Sequence, residues 1–392
     1  MKEGWEYKTF KDQFSINMGK TPPRGDSSSW DKSKITTNKW VSIADISLNE
    51  GKIIFDTKEY ISDKAAKKIK KVKAGSLLMS FKLTIGKMAF AGDDLFTNEA
   101  IIAIPQNEDY DLHFLYYYLL QYDWRTLTEG NEKVKGATLN KQSIGKIQLP
   151  IISMDEQRRI VSYLDSSFKL IDEIKNKALK SLTEAKALFQ SALAEAMEPK
   201  EGTVMERIGD VFTTYAGGTP LKSQKDYYEG GEIPWLRSGE VCKKYISETE
   251  LYITQKGMDN SSAKFYPENT VVVAMYGATA AQVGILKIKA TSNQAVCGII
   301  PHKDFIPEYV YYWFLFVQDD LASQAQGGAQ PNISQIKIKN VLIPIINKEE
   351  QKRIVSHLDK LSSKVRAIEE KYQKMVEECD ALKQAMLRDV FE

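Results

Sequence analysis

Cysteine and histidine are scarce in this 392-residue chain, three of each, and every one stands alone. Cys242, Cys297 and Cys379 show no CxxC spacing and no histidine beside them, so the sequence writes neither a disulfide framework nor a zinc site, and reduced thiols are expected. His113, His302 and His357 lack the neighbours that a metal or nucleophile site needs. No apolar run approaches the ~20 residues of a membrane span, and the start, Met1-Lys2-Glu3-Gly4-Trp5-Glu6, has no secretory pattern. A cytoplasmic location is the expectation. Cofactor signatures are missing too: Gly19-Lys20-Thr21 matches the tail of a P-loop, but the earlier glycine of that motif falls on Phe14, and no G-x-G-x-x-G follows a strand. Glu173-Ile174-Lys175 has an acid-x-Lys form used by nucleases, yet it lies in a helical stretch without an upstream aspartate on a strand. No catalytic residue, cofactor or metal is expected.

What is present is ordinary in bulk. The chain is 43% hydrophobic and 27% charged, which suits a soluble globular protein with two or three cores. The net charge of +2 conceals an uneven distribution, because residues 1–90 carry 18 Lys and Arg against 10 Asp and Glu, with Lys64, Lys67, Lys68, Lys70, Lys71 and Lys73 crowded together. Such an excess serves phosphate contacts or forms a solvated face.

The informative feature is repetition. Pro150-Ile151-Ile152 followed by Asp155-Glu156-Gln157-Arg158-Arg159-Ile160-Val161 returns 194 residues later as Pro344-Ile345-Ile346 followed by Glu349-Glu350-Gln351-Lys352-Arg353-Ile354-Val355. That period is too long for a solenoid and fits a domain plus a long helix. Upstream, Met18-Gly19-Lys20-Thr21-Pro22 answers Gly217-Gly218-Thr219-Pro220, Trp40-Val41 answers Trp235-Leu236, and Asn98-Glu99-Ala100 answers Asn293-Gln294-Ala295. Apolar runs at 75–80 and 269–274 suit buried strands. Aromatic helices at 114–120 and 309–315 follow, their rings assigned to core. Pro150 and Pro344 are expected to stop a strand before each long helix.

Within the second long helix Ile354, Leu358, Leu361, Val365, Ile368, Tyr372, Met375, Cys379, Leu382 and Met386 step 4-3-4-3, the seam of a coiled coil. The first helix offers Leu164, Phe168, Ile171, Ala178, Leu182, Ala185, Phe189, Ala192 and Ala196, interrupted at Lys175. The fold expected is mixed α/β (α+β): two tandem α/β domains alternating with two long helices that pair as an antiparallel, pseudo-two-fold coiled coil. The boundaries expected are 1–152, 153–199, 200–346 and 347–392, the first helix acting as a rigid spacer.

This layout, with its Pro-Ile-Ile and Glu-Gln-x-Arg-Ile-Val-x-x-Leu-Asp segments, Gly-Gly-Thr-Pro and Asn-Gln-Ala, resembles the specificity subunit of type I restriction-modification systems over the whole chain. The first copy departs at Lys20 and Glu99. The resemblance implies two target recognition domains, each reading one half of a bipartite, asymmetric double-stranded DNA site. It also implies helices that dock two methyltransferase subunits, two restriction or translocase subunits, and no catalysis of its own. A reading head needs base-edge donors and acceptors on loops with phosphate-binding cations around them. The candidates are Lys20, Thr21, Arg24, Lys82, Thr84, Lys133, Lys135 and Asn140 in the first head. In the second they are Thr219, Lys222, Arg237, Tyr276, Thr279, Gln282, Gln326, Gln330 and Asn332. The repeated Gln157, Arg159, Gln351 and Arg353 are candidates for partner docking. Two other classes stand beside this one: a single-chain DNA-modifying enzyme, which lacks a metal or cofactor motif, and a coiled-coil protein-binding scaffold, which leaves the duplicated loops unexplained.

Overall fold

The computed structural model describes residues 2–127, 135–324 and 332–392, with the backbone alone for residues 135–138. Two compact units emerge, one comprising Met1–Ala178 with Lys374–Glu392, the other Leu179–Gln373. The α/β class and the two long helices agree with the sequence pattern.

In the first unit, uninterrupted apolar runs become central strands because both faces are covered. Leu77–Ser80 and Met88–Ala91 are buried at every position. The sheet order is Asn17–Met18, Ile101–Ile104, Leu77–Ser80, Met88–Ala91, Ile53–Ile54, with the last pair parallel and the others antiparallel. A small sheet places Lys39–Val41 between Glu59–Tyr60 and Phe96–Thr97. The aromatic helix Leu112–Leu120 starts at Asp111, whose carboxylate accepts from the His113 and Phe114 amides. It packs its Phe114, Leu115, Tyr117, Tyr118 and Leu119 onto one sheet face.

The second unit repeats this order strand for strand: Thr214–Ala216, Val296–Ile299, Val271–Ala274, Val283–Leu286, Tyr245–Ile246. Ile233–Leu236 lies between Leu251–Ile253 and Thr291–Ser292. Its aromatic helix, Pro307–Phe316, opens with proline at the first turn, where no amide donor is needed.

Pro150 does not stop its strand. It lies within Gln148–Ile151, paired with Tyr7 in a two-stranded sheet, a place where a missing amide donor is tolerated. Pro344 closes Leu342–Pro344 opposite Met205. The long helices run Met154–Met197 and Lys348–Phe391. Each has two acidic residues in its first turn, as the helix dipole favours. The strict 4-3 reading of the second helix drifts. Ile368 and Leu382 are 40% and 51% exposed, while Leu387, Val390 and Phe391 are buried. A straight helix of 3.6 residues per turn rotates away from a 3.5-residue repeat, which moves the contact line sideways.

Both units draw on both helices. The first head's core holds Ile160 and Leu164 together with Leu387, Val390 and Phe391, and the second's holds Leu193 and Met197 together with Ile354 and Leu358. In the first unit Lys175, the break in the apolar stepping, meets Asp380 at 2.6 Å, and Asp172 meets Lys383 at 2.6 Å. The ascending order of one helix against the descending order of the other makes the pairing antiparallel.

Candidate nucleic-acid interface

Each head presents a turn clamped against the small sheet. In the first, the Lys20 amide donates to the Thr97 carbonyl at 2.8 Å, and the Trp40 indole N–H donates to the Lys20 carbonyl at 3.2 Å. Gly19 must be glycine, because a Cβ there would stand 2.0 Å from the Thr97 carbonyl oxygen. The turn projects the exposed Lys20 and brings the Thr21 hydroxyl onto the Glu99 carboxylate. That hydrogen bond, against the opposing effect of burial and with help from the Lys82 charge, holds Glu99 below its ordinary range.

Arg24 sits apart from this turn. Its guanidinium lies 4.2 Å from the Trp30 ring centroid and 4.9 Å from that of Trp40, and it pairs with Glu59 at 2.5 Å. Trp30 meets Trp40 edge-on at 5.1 Å, so the cation rests on an indole shelf. Lys82 and Thr84 lie on a short strand whose partners are Thr138 and Lys135. The Asn140 side-chain oxygen accepts from the Ser143 amide at 2.8 Å, which makes it a helix cap. Lys133 lies outside the described residues, and for Lys135 the backbone position alone is described.

The second head repeats the clamp with other chemistry. The Trp235 indole donates to the Gly218 carbonyl at 2.9 Å, and the Thr219 hydroxyl donates to the Gln294 side-chain oxygen. An amide thus stands where the first head holds a carboxylate. Arg237 pairs with Glu240 at 3.4 Å and with Glu250. Tyr276 is 39% exposed and bridges to Asn332, and the Thr279 hydroxyl donates back to the Tyr276 carbonyl at 3.3 Å. The Gln282 side-chain oxygen is buried without a hydrogen-bond partner among the described residues. Lys222 is exposed, and Gln326 and Gln330 lie outside the described residues.

The structure therefore brings Thr21 and Lys82 to Glu99, with Lys20 exposed next to Thr21 on the same turn, and gathers Tyr276, Thr279 and Asn332 around one turn, while Arg24 and Arg237 form their own ion pairs. Glu99, Gln294 and the tryptophans were not among the predicted contacts. For Glu99, Gln294, Trp40 and Trp235 the signal was position, since each stands at a matching place in the two copies of the repeat.

Gln157 and Gln351 differ most from expectation. Both are fully buried within their own heads, so neither faces a partner. Gln157 donates to the Asp109 and Ile152 carbonyls at 2.8 and 3.0 Å and accepts from the Asp111 amide at 2.9 Å. Gln351 makes the same three bonds to Asp304, Ile346 and Ile306. A primary amide can fill two donors and an acceptor at once, and here it latches the helix to the loop before the aromatic helix. Tyr117 and Tyr312 add a second tie, donating to Asp165 and Asp359. Burial first, then these carboxylates, push both phenols far above their ordinary range. Arg159 and Arg353 stay exposed, each bidentate to the glutamate one turn earlier at 2.7 Å.

Comparisons with known proteins agree with this geometry. A family model described as type I restriction modification DNA specificity domain matches residues 2–184 and 200–378. The type I restriction enzyme EcoR124I/EcoR124II specificity subunit of Escherichia coli is 28% identical over 66% of this chain and 65% of its own length. The MjaIX specificity subunit of Methanocaldococcus jannaschii is 32% identical over 41% of this chain and 38% of its own. The matched region thus spans less than two thirds of these curated relatives. Among solved structures, a chain from work on complex assembly and conformational transition of the type I R-M system superposes with a TM-score of 0.79 at 18% identity, covering 100% of this chain and 98% of that one. The HsdS subunit from Thermoanaerobacter tengcongensis gives 0.56 at 18% identity, covering 100% and 97%. These two establish the fold.

Proposed function

This chain belongs to the type I restriction-modification DNA specificity family, and from that premise we propose that it is the sequence-reading subunit of a methyltransferase or restriction complex. Each head reads one half of a bipartite double-stranded site, and the helices set the spacer and dock two methyltransferase subunits. Restriction subunits, two in number, join the same assembly, and the chain performs no chemistry itself. It works in the cytoplasm, beside the DNA.

One observation carries the reading: a single clamped turn is built twice, with Thr21 on a carboxylate in one head and Thr219 on an amide in the other. Duplicated scaffolds with divergent hydrogen-bonding edges are what two different half-sites require, because a carboxylate accepts from cytosine whereas an amide both donates and accepts, as adenine needs. Lys20, Arg24, Lys82, Lys133, Lys135, Lys222 and Arg237 supply phosphate or guanine contacts. Thr84, Asn140, Gln282, Gln326 and Gln330 complete the polar rims, with Tyr276, Thr279 and Asn332 on the second. Methylome sequencing of cells that express this chain with its methyltransferase tests the proposal. A methylated motif of two short half-sites around a fixed gap is expected, and unmethylated DNA despite an assembled complex would sink it.

A further inference from the structure

The lysine-rich stretch of the first head has a role beyond the reading turn. Lys70, Lys71 and Lys73 border a cavity of about 250 Å³ whose wall includes Asn17, Val72 and Thr97 and contains no carboxylate. Thr97 is fully buried, and its hydroxyl has no hydrogen-bond partner among the described residues. Leaving such a group unanswered is costly, so the Thr97 hydroxyl in this wall calls for a hydrogen-bond partner. The lysines hold their positions lightly: Lys70 donates to the Asn17 side-chain oxygen at 2.7 Å, Lys73 meets Asp94 at 2.9 Å, and Lys71 lies 5.9 Å from the Phe96 ring centroid. An ammonium has three donors, so each keeps some for a ligand.

The second head has the same frame with this space filled. Val72 and Tyr266 hold matching bridge positions, opposite Leu95 and Ala290. Asn17 and Tyr215 hold matching edge-strand positions, opposite Ala103 and Gly298. Tyr215 and Tyr266 stack at 5.1 Å, and Ser292, in the place of Thr97, donates to the Tyr266 hydroxyl at 3.1 Å. Phe265 and Pro267 flank Tyr266 where Lys71 and Lys73 flank Val72. Hydroxyl and space are both answered there from within the head, and of the three lysines Lys70 alone has a counterpart, Lys264, whose ammonium lies 5.7 Å from the Tyr215 ring centroid.

We propose that the cavity of the first head binds a phosphate group, with the Thr97 hydroxyl and the Lys70 and Lys71 ammonium groups on its oxygens, and that the second head has no counterpart. Lysines around a hydroxyl donor, in a wall without carboxylates and with Asp94 engaging Lys73 from outside it, suit a compact anion with several oxygens. Two sources offer one: a phosphodiester of the bound duplex, which rests on the function proposed above, and a free phosphate or nucleotide, which does not.

Calorimetry of the full chain with inorganic phosphate tests the pocket. Binding is expected in the wild type, weakened at least about tenfold, or 1.4 kcal/mol, both in Lys71→Ala and in the pair Asn17→Tyr with Val72→Tyr, which rebuilds the second head's wall. Lys71→Ala, exposed at the rim, keeps the test valid should the tyrosine pair misfold. The salt dependence of DNA binding by the complex then separates the sources. A slope shallower by about one in Lys71→Ala identifies the duplex phosphate. An unchanged slope alongside lost phosphate binding identifies the free ligand. Absence of phosphate binding to the wild type, or equal binding to Lys71→Ala, overturns the pocket while leaving the methylome result to judge the DNA reading separately.

Discussion

At the scale of single residues, the buried glutamines carry the clearest stability role. Gln157→Leu removes one acceptor and two donors, leaving the Asp111 amide and two carbonyls unpaired, at a cost of about 3 kcal/mol in the first unit. Native-state hydrogen exchange should show faster opening there and unchanged opening in the second unit. Equal protection in both would refute the latch. Glu99 titrates below its ordinary value of 4.5. A depressed folded-state pKa means that its bond to Thr21 is complete above the unfolded value and is lost as pH falls through the lowered one. Carboxyl-carbon NMR should place the Glu99 midpoint below the ordinary glutamate value, and a midpoint at or above 4.5 would contradict the clamp. Arg237→Ala should relax reading of the second head's half-site by about 1–3 kcal/mol. An equal loss at both half-sites, measured with half-site variants, would instead mark it as a general phosphate or stability residue.

At the scale of elements, helix ends matter more than helix middles. Phe391 is 1% exposed and packs against Trp5, Phe114 and Tyr118 in the first head. Phe391→Ala should therefore destabilise that head by about 3–5 kcal/mol. Chemical denaturation followed by tryptophan fluorescence should show an earlier transition with the second head's signal in place, and an unshifted curve would show the contact to be dispensable. Strand runs, aromatic helices and the two long helices were all legible in the sequence, because apolar periodicity reports burial directly. The role of Gln157 was not, since a polar residue in a repeated motif reads the same whether it faces a partner or a core. The drift that exposes Ile368 and Leu382 was equally hidden, because heptad counting assumes a 3.5-residue repeat and an α-helix turns every 3.6. In the candidate site, Lys82 and Thr84 were expected on a loop and lie on a short strand, and Asn140 caps a helix, because these outcomes depend on backbone geometry that spacing does not encode.

At the scale of the whole molecule, the proposed spacing role has a direct test. Four residues inserted after Ala178, matched by four after Gln373, lengthen both helices by roughly 6 Å and should widen the tolerated gap between half-sites by about two base pairs. Methylome sequencing of the lengthened chain reads the gap, and an unaltered spacer would refute the role. The shared cores also set an order of assembly. The second unit is one continuous stretch, Leu179–Gln373, whereas the first needs Leu387, Val390 and Phe391 to close its interior. At ~5–20 residues per second, the ribosome leaves the first head open for roughly 10–40 s after its own strands have emerged. The head translated first is thus the one completed last, and until then its sheet is exposed to chaperones, proteases and neighbouring nascent chains.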